Sequence, residues 1–335
     1  MRALLFGLVF ISPPFLKKWL LRWSCAARIG HHAHIGWFSA VMGRRIELGH
    51  HSVIRPFTLI RLDGDFRLGS YSEISSFTLI YGSSSLIVGD QCYIGPQSLI
   101  NADEEVRLGD ESALGPRCMV FTHGSFLPYT EGYWVRLASV TLGKRVWCAA
   151  GVFIHPGVEI GDDTFVNSRS VVTQAIPPGS IVEGNPAQVV RSMDQVRRKM
   201  SSRRVDAAVI QMLHDFAEIG LRRELALGEI EDKGHTLRFR WRGQAYSIAL
   251  VPSTGELPEG MDSTPGVRRI FLVNCAGWSP PPQSMVFDLL TMRTRFSSDR
   301  IHTALRLFMQ RYYGVRFRDS GVPNGQFPSR PLTKL

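Results

Sequence analysis

Aliphatic residues recur every six positions through more than a hundred residues of this chain, often with glycine next in sequence. The clearest stretch runs Leu48-Gly49, Ile54 and Ile60; Leu68-Gly69, Ile74 and Ile80; Val88-Gly89, Ile94-Gly95 and Ile100; Leu108-Gly109, Leu114-Gly115 and Val120. Each trio begins twenty residues after the one before, which is three hexapeptides plus two residues placed after the third aliphatic position. A looser turn precedes it at Ile29-Gly30, Ile35-Gly36 and Val41. After an interruption the period resumes without the extra pair at Leu142-Gly143, Cys148, Ile154, Ile160-Gly161, Val166 and Val172.

An amphipathic helix and an alternating strand have shorter periods, and neither sustains a period of six. A three-sided β-solenoid does. Each hexapeptide forms one short side with its aliphatic residue inward, and glycine or a small polar residue turns the corner. Successive coils then pair as parallel strands about 4.8 Å apart. Residues at equal places in the period stack into ladders, so positions twenty apart in sequence become neighbours in space.

Several motifs sit on this register: Val120-Phe121-Thr122-His123, Val140-Thr141-Leu142-Gly143-Lys144-Arg145-Val146-Trp147, Ile154-His155-Pro156-Gly157, Ser170-Val171-Val172-Thr173, Ile176-Pro177-Pro178-Gly179-Ser180 and Gly184-Asn185-Pro186-Ala187. In order and spacing, from about residue 29 to 191, they resemble the hexapeptide-repeat acyltransferases. The likeness is greatest to the maltose and galactoside acetyltransferases and the O-acetyltransferases of bacterial surface-polysaccharide pathways. The lead-in Pro14 to Arg22, followed by Ala27-Arg28-Ile29-Gly30, resembles the polysaccharide branch. The resemblance implies a mainly β chain, a left-handed parallel β-helix, acetyl-CoA as acyl donor and a homotrimer with the donor between subunits. The expected activity is O-acylation of a sugar or lipid-linked sugar in polysaccharide or glycolipid synthesis. Sugar N-acetylation on the same fold, and a non-catalytic trimeric assembly role, are the alternatives.

Between Val120 and Leu142 the chain is far longer than one side of the prism requires, so a loop is thrown out there, and His123 opens it. A rigid scaffold that projects a loop is a natural place for a site. The resemblance makes His123 the base, and histidine suits the task because its pKa lies near neutrality. The register adds Asp103, three after Ile100 as His123 is three after Val120, with Asn101 opening the same corner. A carboxylate there would fix the imidazole tautomer or hold the acceptor; the alternative for both is an ordinary solvated turn residue. Tyr129, Glu131, Tyr133, Trp134 and Arg136 are expected to cover the acceptor or to pack on a neighbouring subunit. The resemblance places acyl-CoA against Ala150, Ser168, Thr173, Gln174 and Arg191. Gln174 replaces a usual lysine, for which Lys144, Arg145 and Arg191 are candidate substitutes.

The chain has 335 residues, a formal charge of +10 and a pI near 9.7, which favour anionic partners without choosing among them. Its five cysteines are scattered and odd in number, which fits a reducing cytoplasm. The pairs His31-His32 and His50-His51 share an offset and are expected to stack; no ligand spacing points to a metal. His155 reads as a surface residue, and Cys118 and Cys148 as fillers of the repeat. Residues 1–28 read as an amphipathic lead-in, too short in its apolar run to span a bilayer of about 30 Å. Its Lys, Arg, Trp and Leu content suits the anionic inner face of the cytoplasmic membrane, with residues 1–23 as the contact; the alternative is a helix packed on the end of the prism. The β-helical domain is expected over 29–193 and a basic α+β domain over 194–335, with 22 Lys and Arg against 14 Asp and Glu from residue 192 onward. There, Leu237–Trp241 and Tyr246–Leu250 read as a hairpin about Arg242-Gly243, and Asp299 as the cap of a helix ending at Gly314. No nucleic-acid motif is present.

Overall fold

The computed structural model describes residues 2–124, 127–133, 136–256 and 266–320. The chain forms two compact units that divide at Arg198/Lys199.

In the first unit the hexapeptide register becomes strand pairing. Three parallel sheets form the sides of a β-helix, with seven, nine and seven strands. On the first side Leu48, Leu68, Val88, Leu108, Leu142 and Ile160 lie opposite one another in turn. On the second the ladder is Ile54, Ile74, Ile94, Leu114, Cys148 and Val166. The third carries Ile60, Ile80, Ile100, Val120, Ile154 and Val172. All of these side chains are buried in one continuous core. Cys118 and Cys148 fill the same interior, where burial pushes both thiols above their ordinary pKa. The last strand, Ala187–Ser192, runs antiparallel to Ser180–Gly184 and ends the stack.

The corners differ from expectation. Glycine supplies the left-handed turn at only a few corners, Gly151, Gly157 and Gly179; at most of them the residue with positive φ carries a side chain, as at Phe38, His51, Phe57, Tyr71, Phe77, Gln97 and Arg117. The glycines that follow the aliphatic positions instead allow coils to approach. A Cβ on Gly69 would lie 2.3 Å from the Gly89 carbonyl oxygen. Left-handed residues with side chains cost more than glycine there, and the ring stacking between coils, such as Phe57 on Phe77 at 5.2 Å, offsets part of that cost. The paired histidines belong to such ladders: His31 stacks on His50 and His32 on His51.

The lead-in is two helices rather than one, Arg2–Ile11 and Pro14–Cys25, because Pro13 and Pro14 cannot continue the first. Val9, Leu20 and Leu21 are buried on the β-helix core, and Leu5, Phe6 and Phe10 pack against it, so these helices close its open end. Lys17 is fully buried and donates to the carbonyls of Gly36 at 2.9 Å and Ser39 at 2.7 Å. Burial brings its pKa down to about 8. The opposite surface of the pair is apolar and open to solvent, with Phe15 and Trp23 each 77% exposed.

The second unit is an α+β layer. Its seven-stranded mixed sheet orders Ile230–Asp232, Thr236–Trp241, Gln244–Val251, Val267–Val273, Met285–Asp288, Arg293–Arg295 and Arg318–Ser320. The hairpin turns at Arg242-Gly243 and pairs Trp241 with Gln244. The helix Ser202–Asp215 continues as a π-helix over Phe216–Glu224. The helix Arg300–Tyr313 is capped by Asp299 and ends at Gly314 with φ of 65°. One face of the sheet buries Leu237, Ile248, Ile270 and Phe287 against Val209, Leu213, Leu305 and Met309 of these helices.

Candidate active site

The two extra residues of each twenty-residue coil fall at the corner that follows the third side. That corner is wider than the other two and has room for a buried polar layer. Asn101 and Thr122 are both 0% exposed there. Thr122 donates to the Asn101 backbone carbonyl at 3.1 Å and to its side-chain Oδ1 at 3.2 Å. Asn101 donates through Nδ2 to Asp103 Oδ2 at 3.0 Å, which leaves Oδ1 as the acceptor.

His123 stands directly over this layer. Its Nδ1 lies 2.8 Å from Asn101 Oδ1 and 3.1 Å from Asp103 Oδ2. Both partners are acceptors, so the proton sits on Nδ1 and the lone pair on Nε2. Asp103 is held from below by the Ser83 backbone N–H at 3.1 Å. Burial raises its pKa, but the hydrogen bonds from Asn101 and Ser83, with the attraction of His123 when its ring is protonated, outweigh that and leave it below the ordinary carboxylate value. The carboxylate therefore stays ionised at neutral pH beside the imidazole.

The structure thus brings together His123, Asp103 and Asn101. It adds two residues that sequence reasoning passed over. Ser83 is three after Ile80, the same offset as Asp103 and His123 in their coils, so the period contained the signal. Thr122 carried none beyond its place beside His123. Phe121, stacked on Phe153 at 5.4 Å, supplies an aromatic wall 6.4 Å from the His123 ring. His155 lies against Phe153 at 4.9 Å.

The loop leaves and returns on this corner. His123-Gly124 pairs antiparallel with Arg136-Leu137, and Ala138 donates to Thr122. Tyr129, Glu131, Tyr133 and Arg136 are exposed, and Trp134 lies outside the described residues.

The residues expected at the donor do not converge within one chain. Lys144 and Arg145 turn from the first side to the second, Ala150 and Ser168 from the second to the third, and Thr173 and Gln174 follow the third. Arg191 lies on the terminal antiparallel strand. Arg145 is held in a two-pronged pair with Asp163 at 2.5 Å, which raises its pKa and lowers that of Asp163. Among the described residues, no group of three or more His, Cys, Asp or Glu side chains is placed to hold a metal ion.

No protein-family profile matches the chain. Among curated proteins it is similar to the putative colanic acid biosynthesis acetyltransferase WcaF of Escherichia coli, 37% identical over 68 residues, or 20% of this chain and 37% of that one. It is 40% identical over 55 residues to the galactoside O-acetyltransferase of E. coli, covering 16% and 27%. Against a putative acetyltransferase of Staphylococcus aureus it is 39% identical over 70 residues, covering 21% and 35%. The chain spans about a third of the length of the curated relatives it matches. Solved structures align at lower similarity. AntD, an N-acyltransferase of Bacillus cereus, gives a TM-score of 0.40 at 17% identity over 60% of this chain and 96% of that one. The hexapeptide-repeat acetyltransferase VCA0836 of Vibrio cholerae gives 0.35 at 22% over 57% and 88%. The sequence matches and the coil register together make the first unit a hexapeptide-repeat β-helix similar to those of bacterial acetyltransferases.

Proposed function

We propose that the chain is an acetyl-CoA-dependent O-acyltransferase that modifies a sugar hydroxyl of a surface polysaccharide or glycolipid. The observation that carries this reading is the orientation of His123, whose Nδ1 is held by Asn101 and Asp103 so that Nε2 offers its lone pair at the mouth of the loop. In the reaction, Nε2 takes the acceptor proton as the hydroxyl oxygen attacks the thioester carbonyl. The C–O bond forms, the C–S bond breaks, and the imidazolium returns the proton to the departing thiolate. Asp103 stabilises the imidazolium in passing.

The proposed donor residues lie on different edges, and a homotrimer reconciles them by setting an edge of one subunit against that of another. The outward residues of the third side support such an assembly: Leu59, Leu79, Leu99, Met119 and Phe153 form an apolar ladder, with Leu79 41% exposed. At the closed end, no Asp or Glu occurs between residues 1 and 46, while Lys18, Arg22, Arg28, Arg44 and Arg45 accompany exposed Leu4, Phe15, Trp19 and Trp23. That combination supports peripheral attachment to the anionic inner face of the cytoplasmic membrane. Among the described residues no helix is long and apolar enough to cross a membrane.

The test is thiol release from acetyl-CoA by the purified protein, offered nucleotide-linked and lipid-linked sugars, with mass analysis of the product. An acceptor-dependent release with a gain of one acetyl group per sugar is expected. Absence of release with every acceptor, while CoA still binds, would overturn the reading in favour of a binding role.

A further inference from the structure

The helices of the second unit cover one face of its sheet, and among the described residues the other face is covered only in part. Strand register assigns the residues of that second face. Arg238, Ser247 and Arg269 lie side by side across three strands, and Arg240, Ala245 and Val267 form the next row. Beyond Ser247 in the other direction the face closes over Ala249, Val251, Phe271 and Val273, against which Trp278 packs.

The middle strand therefore presents small side chains, Ala245 and Ser247, while one neighbour presents Arg238 and Arg240 and the other Arg269 beside Val267. The outer two strands are about 10 Å apart, twice the strand spacing. The result is a trough with an uncharged floor and cationic walls. It widens into a cleft of about 970 Å³, reached also by Arg222 and Glu229. Four arginines line it against two carboxylates, Glu229 and Glu231, so its lining carries a net charge of +2 (four minus two). Glu231 stands beside Arg238 in the same row, 3.9 Å away, and Arg222 is paired with Glu218 at 2.7 Å.

We infer that this trough binds the diphosphate group of a small molecule. Guanidinium groups grip phosphate oxygens in pairs, and Arg238 and Arg240 on one strand with Arg269 across a narrow floor place three guanidinium groups where two linked phosphates would lie. The cleft volume lies in the range of small-ligand sites. A nucleic-acid strand suits the trough less well. Single-strand binders stack bases on exposed aromatic rings, whereas the two aromatic residues that border the cleft, Phe239 and Tyr246, are 6% and 3% exposed and belong to the core on the helix-covered face. Glu229 and Glu231 would also repel an extended polyanion. The site stands on the second unit alone and does not depend on acyl transfer by the first.

The diphosphate can come from a nucleotide sugar or from a lipid carrier, and the experiment separates the two. Binding of inorganic phosphate, inorganic diphosphate, UDP, farnesyl diphosphate and a 12-nucleotide DNA strand to the full chain is measured by calorimetry at low salt. Diphosphates are expected to bind at least tenfold tighter than phosphate. The Arg238→Ala/Arg269→Ala double variant is expected to weaken them by about a hundredfold, near tenfold per arginine. Arg240→Glu, at an exposed position, is expected to weaken them by about tenfold, and Arg203→Ala, exposed on a helix, to leave them unchanged. Tighter binding of UDP would assign a nucleotide source, and tighter binding of farnesyl diphosphate a lipid one. Diphosphate affinity that survives the trough variants, falls equally in Arg203→Ala, or is exceeded by that of the DNA strand would overturn the inference, as would no diphosphate binding at millimolar concentration.

Discussion

Two edges of one prism show what the repeat supplies and what it leaves to individual residues. Along the corner between the second and third sides, Phe38, Phe57 and Phe77 stack ring on ring at 5.4 and 5.2 Å. Along the corner after the third side, Ser83, Asp103 and His123 occupy equal places in successive coils and are joined by hydrogen bonds. The backbone builds a ladder at both. The first corner is tight and its ladder lies on the surface. The second is wider by two residues per coil and encloses Asn101 and Thr122, so its polar groups are desolvated and held in fixed orientation. A ladder becomes a site where the corner has depth.

The largest expected effect follows from closing that depth. Gly82 lies in the column beneath Ala102 and Thr122, with φ of 151°, and a Cβ there would meet the Ala102 carbonyl carbon at 2.2 Å. Gly82→Val should cost about 3 kcal/mol or more, from backbone strain and overpacking together. Thermal unfolding would show it, and a variant as stable as the parent would mean the coils are not stacked as described.

Asp103→Asn tests the polar column by chemistry. The amide keeps the shape but removes the charge beside the imidazole, and turnover should fall about tenfold or more, as expected when the orienting carboxylate of a histidine base is lost. Unchanged turnover would reduce Asp103 to a turn residue. On the other edge, Phe57→Ala should cost about 1 kcal/mol of stability through lost stacking and leave turnover at the parent value. A matching loss of activity would erase the distinction between the two edges.

The smallest effect is a pH dependence. The folded pKa of Asp103 lies below its ordinary value of 3.8, so the folded state favours the ionised form. Its stabilisation is full above the unfolded pKa and is lost as pH falls through the folded one. The group is partly exposed, so the contribution is below about 1 kcal/mol. Denaturant midpoints of parent and Asp103→Asn should therefore differ at pH 7 and converge near pH 2; a gap that widens on acidification would reverse the assignment.

The depth of the second corner was legible in the residues, because the extra pair always follows the third aliphatic position and Asp103 and His123 share an offset from it. The same offset reached Ser83, a hydroxyl with little chemical signal of its own. The left-handed corners were not legible. Glycine beside each aliphatic residue suggested them, yet close coil contact claims most of those glycines, Gly151, Gly157 and Gly179 turn corners at other places in the coil, and the remaining corners use residues with side chains, some of them stacked rings. Nor could the sequence separate the two faces of the lead-in helices, since Leu, Phe and Trp on both look alike until Val9, Leu20 and Leu21 are seen on the core. In the second unit the hairpin and the capped helix follow from local signals at Arg242-Gly243, Asp299 and Gly314. The parallel pairing of Gln244–Val251 with Val267–Val273 has no such signal, because parallel neighbours are joined by crossovers rather than by tight turns.

The central claim is that His123 is the base, and it is tested most directly by comparing acceptor-dependent thiol release from acetyl-CoA in the parent and in His123→Ala, with CoA affinity measured on the same samples. The account predicts a fall in turnover of about 10²–10⁴ with CoA affinity unchanged. Turnover within a few-fold of the parent would contradict it.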